Sequence, residues 1–216
     1  MPTNLQPSRP TIRRNRPTVS RGFGVLLVVG LVASLASPTL RAEDAAEKSE
    51  QVRVFGKATM EVPAAFERKP LASRIVEHEF QAKHGDGDEA QTARITLMPS
   101  GGSIRMNLER WQKQFAGDPQ AFRTEKHEID GWQVVIAEHR GTYSDQMGGG
   151  PFAPGRTVER PDYAMIAAIL DAPAADGDAA DSDLRRKYFV KMVGPESVVK
   201  ANRDAFVKMI KSLSES

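Results

Sequence analysis

Cysteine is absent from the 216 residues. That excludes disulfides, thiolate catalysis, Cys-ligated zinc and a lipidated N-terminal cysteine. Catalytic signatures are missing as well. The four histidines, His78, His84, His127 and His139, stand in no H-E-x-x-H, H-x-H or His-Cys spacing, so a metal site would have to gather them from separate strands. No G-x-S-x-G elbow presents a serine. The glycines Gly148, Gly149 and Gly150 lack the Lys-Ser/Thr of a phosphate loop and precede no helix. There is no internal repeat.

Acidic residues are missing from residues 1–42, which instead carry Arg9, Arg13, Arg14, Arg16, Arg21 and Arg41. Residues 22–36 (GFGVLLVVGLVASLA) hold no charge. A basic stretch, a short apolar core and small residues after it predict a secretory signal peptide. The apolar run is shorter than the ~20 residues a spanning helix needs, which favours cleavage over an uncleaved anchor. Cleavage after Ala36 or after Ala42 fits; Ala42 is preferred because Glu43 and Asp44 follow at once. Arg13-Arg14 is followed by Asn15-Arg16-Pro17 rather than the apolar pair of a twin-arginine signal.

The leader also decides the charge. Taking its six Arg from the 30 basic residues leaves 24 against 28 acidic, a net charge near −4. The basic pI of about 8.9 therefore belongs to the leader, and no nucleic-acid partner is expected. Without disulfides, an exported domain must hold together by its core alone.

After a charged entry segment (43–51), one domain over 52–214 is expected. Val52, Val54, Ala58, Met60 and Val62 alternate with polar residues, predicting a half-buried strand that ends at Pro63. Val76, His78, Phe80 and Ala82 share one side of a second strand, and Ala93, Ile95 and Leu97 one side of a third. The short polar link between them predicts an antiparallel hairpin. Ser103 caps a helix striped by Ile104, Leu108, Trp111 and Phe115. Asp130-Gly131 joins two further strands, and the second, through Val134-Val135-Ile136-Ala137, is apolar on both faces. The run 163–170 (YAMIAAIL) reads as a central strand. The strand 187–193 passes through Gly194-Pro195 into an amphipathic helix, with Val198, Val199, Phe206, Met209, Ile210 and Leu213 on its apolar half. Pro195 suits the first helical position. The fold class is α+β: a mainly antiparallel sheet of about six to seven strands with two main helices, one on each face or both on one.

The helix NLERWQKQF (107–115), the arm DGWQVV, the GTY at 141–143 and KYFVKMVGP before a helix ending AFVKMIKSL resemble a family of exported bacterial proteins of unknown function. The order of elements is similar to the fold shared by the PsbP extrinsic subunit of photosystem II and the Mog-type Ran-binding proteins. The resemblance implies an antiparallel sheet between helices over residues 52–214 and an accessory or assembly role, and it transfers no catalytic residue. The Trp usual after the first Val-Pro is replaced by Phe66.

Two acidic loops, with Asp86, Asp88 and Glu89 and with Asp176, Asp178, Asp181 and Asp183, complete no EF-hand. They read as solvated carboxylates. Asn107, Gln114 and Asn202 lie on or beside apolar arcs and are expected to tie helix to loop or sheet. The long connection 144–162 is a candidate partner-contact loop through Met147, Phe152, Arg156 and Arg160. These features predict an exported, non-enzymatic accessory or binding protein. No catalytic residue, metal or cofactor is expected, and its partner would be an envelope protein or an apolar ligand. The alternative is an envelope hydrolase or metal-assisted enzyme using His and Asp from separate strands. Two histidines meeting a carboxylate in one pocket would favour it.

Overall fold

The computed structural model describes residues 49–147, 155–173 and 187–215. The chain separates into two units, Met1–Arg41 and Ala42–Ser216, and every described residue belongs to the second. In chain order the elements are β1 (Glu50–Val54), β2 (Ala58–Val62), β3 (Glu67–Arg68), β4 (His78–His84) and β5 (Gln91–Ser100). Then come α1 (Ile104–Gln112), β6 (Phe115–Ala116), β7 (Arg123–Ile129), β8 (Trp132–Met147) and β9 (Arg156–Asp171). The chain closes with β10 (Lys187–Pro195), α2 (Glu196–Ala201), α3 (Arg203–Lys211) and β11 (Ser214–Glu215).

Strand pairing among the described residues is antiparallel throughout. One sheet runs β3-β4-β5-β10-β9-β8-β6, with β7 also on β8; β1, β2 and β11 make a smaller sheet. The fold is thus α+β but dominated by sheet. Among the described residues eleven strands stand where about six to seven are expected. Three have two residues each, too short to carry a period, and one expected strand is a hairpin.

That hairpin is β1–β2. Phe55 and Gly56 take positive φ, 52° and 68°, and the Lys57 N–H donates to the Val54 carbonyl at 3.1 Å. Val54 pairs with Ala58 and Val52 with Met60. The register pairs even residues with even residues, so all of them face one way. The alternation therefore passes through the turn unbroken, which is why the sequence reads as one strand. At the other predicted hairpin, Asp130 (φ 47°) and Gly131 (φ 78°) both sit in the left-handed region, as a type I′ turn requires.

The two faces of the large sheet bury separate cores. On one face Val134, Ile136, Ile166, Ala168, Leu170, Val190 and Met192 pack with the C-terminal helices and the β1–β2 hairpin. Phe66 lies in this core, 4% exposed. On the other face Ala137, Met165, Ala167, Ile169 and Phe189 meet Trp111 of α1 and Phe115. Helix α1 begins where Ser103 predicts: its hydroxyl accepts the Met106 N–H. Phe115 lies beyond the helix, in β6.

The C-terminal helix is two pieces. Pro195 is its N-cap rather than its first residue, and Asn202 breaks it between α2 and α3. The Asn202 side-chain amide donates to the Val198 carbonyl at 2.9 Å and to the Lys83 carbonyl of β4 at 3.1 Å. The buried amide thus ties helix to sheet, as expected. Asn107 does the same for the loop before α1, donating to the carbonyls of Gly101 and Ser103.

The expected loop 144–162 needs correction. Met147 pairs with Arg156, Asp145 with Val158 and Tyr143 with Arg160, so most of it is a two-stranded ribbon extending β8 and β9. Gly141 sits at φ 148° beside the register shift that opens the ribbon. Polar residues with weak alternation hide such a ribbon from sequence reading. Among the described residues no helix is long and apolar enough to cross a membrane.

Candidate functional site

Helix α1, nine residues long or about 13 Å, roofs only part of its sheet face. Beyond it lies an open cleft of about 350 Å³ crossing four strands. Arg94 and Thr96 come from β5, Lys191 from β10, Tyr163 from β9, and Tyr143 and Asp145 from β8. Register explains the gathering. Lys191 lies opposite Thr96 on one side and Ala167 on the other, and Ala167 lies opposite Ala137. The two alanines leave height above the strands, against which Trp111 packs.

Lys191 is the centre of the cleft. It is partly buried, and its Nζ donates to Gln114 Oε1 at 2.6 Å. The ring centroids of Trp111 and Tyr143 lie 5.8 and 5.7 Å from Nζ, within cation–π range. Burial, and then the charge of Arg110, pull its pKa from 10.5 down to about 7. The other charges of the cleft have partners of opposite sign. Arg94 grips Glu79 with two hydrogen bonds, 2.7 and 3.1 Å, and that bond holds the Glu79 carboxyl below its usual range. Asp145 faces Arg160 at 3.4 Å. Tyr143 stacks parallel to Tyr163, centroids 6.2 Å apart, and burial followed by the Asp145 charge pushes its phenol up. At neutral pH it is a proton donor.

Two other hollows are chemically quieter. The groove of about 880 Å³ between α1 and β7 carries charges such as Arg105 and Glu109, which pair with each other at 2.7 Å. The notch of about 250 Å³ at the β8 edge holds Arg203–Glu138 at 2.7 Å and Arg140–Glu196 at 3.4 Å.

The residues singled out from sequence are dispersed. Arg160 is in β9 beside Asp145; Arg156 opens β9 and is exposed; Met147 ends β8; Phe152 lies outside the described residues. His78 and His139 stand on β4 and β8, with three strands between them, roughly 19 Å at the usual spacing. His139 is buried between Phe115 and Phe122, with centroids 4.9 and 5.3 Å away, and burial lowers its pKa. Ser144 donates to Glu159, not to a histidine. Asp86, Asp88 and Glu89 are exposed, and the loop with Asp176 to Asp183 lies outside the described residues. Among the described residues no three His, Asp or Glu side chains gather to hold a metal.

Sequence patterning does not single out Lys191, Arg94 or Tyr163 as site residues. One signal does exist: Lys187 and Lys191 are charges inside a strand otherwise apolar on both faces, YFV and MV around them. No protein-family model and no curated protein matches the chain, so the geometry alone speaks for the site.

Proposed function

We propose that this chain is an exported, non-enzymatic binding protein whose site is the Lys191 cleft and whose ligand is a small carboxylate. Lys191 carries the proposal. A partly buried ammonium gains from a counter-charge, yet its hydrogen-bond partner here is the neutral amide of Gln114. An incoming carboxylate would supply the missing charge, with Arg94 and the hydroxyls of Thr96 and Tyr143 around it. The polar lining of this cleft favours such an anion over an apolar ligand. Strained ionisation in an open cleft of this kind marks functional sites.

The arrangement of α1 on one face and α2–α3 on the other supports a PsbP/Mog-like sandwich, and with it an accessory role. Export rests on the six arginines and the uncharged run of residues 22–36; mass spectrometry of the secreted protein should find a mature form beginning after Ala42.

Calorimetry tests the cleft. Acetate and lactate, titrated at pH 7 in two buffers of different ionisation heat, should bind with uptake of about half a proton, since a group with pKa near 7 is half protonated when free and fully when paired. Lys191→Met should abolish both heat and proton uptake. Unchanged binding by that variant would refute the assignment.

A further inference from the structure

Lys191 does more than attract charge: we propose that it captures short oxo acids covalently, as an imine between its Nζ and the ligand's carbonyl carbon. This deepens the binding reading and rests on it.

Three features of the geometry carry the step. The amine is held in an open cleft of about 350 Å³ by a neutral acceptor, Gln114, rather than by a carboxylate that would fix it as an ammonium. Surface lysines are fully protonated at neutral pH and react slowly; this one, with its pKa drawn to about 7 by burial and Arg110, is half free base. A proton donor shares the cleft. Tyr143 keeps its phenolic proton, and its ring centroid is 5.7 Å from Nζ.

The third feature selects the ligand. Arg94 lies opposite Val193, two residues from Lys191 on β10, while Lys191 lies opposite Thr96. The two cations are thus diagonal neighbours on one sheet face, about 7–8 Å apart at the backbone. Arg94 spends Nε and Nη2 on Glu79, and its Nη1 remains to meet a carboxylate. A short acid that also carries a carbonyl offers one group to each of the two cations.

The step balances without an outside oxidant. The Nζ lone pair adds to the carbonyl carbon, and the first amine proton passes to the carbonyl oxygen to give a neutral carbinolamine. Loss of the second amine proton and departure of the hydroxyl with a proton from Tyr143 release one water and leave the C=N bond. The phenolate recovers its proton from the nitrogen or from solvent. The reverse reaction releases the ligand unchanged, so capture is reversible and needs no cofactor.

The test is reductive trapping of the full mature protein with glyoxylate and cyanoborohydride, followed by peptide mapping. Lys191 should acquire the carboxymethyl group at least about tenfold faster than any other lysine or the terminal amine. Its rate should rise with pH through about 7. Propionaldehyde, which lacks the carboxylate, should show a much smaller preference for Lys191, and Tyr143→Phe should slow trapping. Label spread evenly over the lysines, with acetate still bound in calorimetry, would overturn the covalent step and spare the binding reading. Even label with no acetate binding would overturn both. The wild-type map and titration alone separate these outcomes, so a poorly folded variant would not obscure them.

Discussion

The ammonium of Lys187 lies 3.1 Å from the carboxylate of Asp171, and the two side chains are 0% and 2% exposed. Lys191, four residues along the same face of β10, has the neutral Gln114 amide as its hydrogen-bonding partner. One strand therefore carries a lysine matched by a carboxylate and a lysine held by a neutral amide. Removing one member of the first pair takes a buried counter-charge from the other. Lys187→Met should cost ~3–5 kcal/mol in a urea melt. The double change Lys187→Met with Asp171→Leu should recover most of it.

Stability should respond to pH through Lys191. Its folded pKa of about 7 lies below its ordinary 10.5, so between those values the unfolded chain holds a proton that the folded chain does not. Unfolding then takes up protons, and stability rises with pH across the window 7 to 10.5. The slope from this group is at most about 1.4 kcal/mol per pH unit, reduced by the open side of the cleft. Below pH 7 the lysine is charged in both states, and the cost of burying its charge is fully present. Wild type should gain on Lys191→Met between pH 7 and pH 9 in parallel denaturant melts. Parallel curves would contradict the burial of the charge.

Gly141 should tolerate no side chain. Its φ is 148°, and a Cβ there would stand 2.4 Å from the Ala116 carbonyl oxygen, where β6 crosses the β8 bulge. Gly141→Ala should cost at least ~1–3 kcal/mol. Gly101→Ala, with nothing within 4 Å of the added carbon, should stay within about 0.5 kcal/mol. Thermal melts of the two variants make the comparison.

Residues 148–155, beyond the last pair of the ribbon, should be dispensable to the core. Met147 and Arg156 are a register pair, so an Asn-Gly turn replacing residues 148–155 closes a regular hairpin there. The stability read from a denaturant melt should hold within about 0.5 kcal/mol. A clear drop would show that the replaced residues contribute to the core.

Much of this fold is legible because its strands are two-faced. Val134 to Ala137 and the run ending at Leu170 are apolar on both sides, and both prove central in the sheet. Ser103 and Asp130-Gly131 mark their helix start and turn by local chemistry alone. What escapes reading does so for physical reasons. The β1–β2 turn preserves parity, so no break in the pattern betrays it. Ribbon residues such as Ser144, Gln146 and Thr157 bury too little to show a period. The cleft depends on register: nothing in the sequence near Lys191 announces Arg94, nearly a hundred positions earlier, as its neighbour. Gln114 stands out as an amide beside an apolar stripe, but its lysine partner belongs to tertiary structure.

The small sheet joins the two sequence ends of the domain. Thr59 in β2 pairs with Ser214 in β11, and the Glu61 N–H donates to the Ser212 hydroxyl at 2.8 Å across 151 residues of sequence. The first hairpin cannot complete its contacts until the last helix has left the ribosome. With loop closure this long, folding should be slow and late, which would keep a newly made chain pliable for the interval that the proposed export requires.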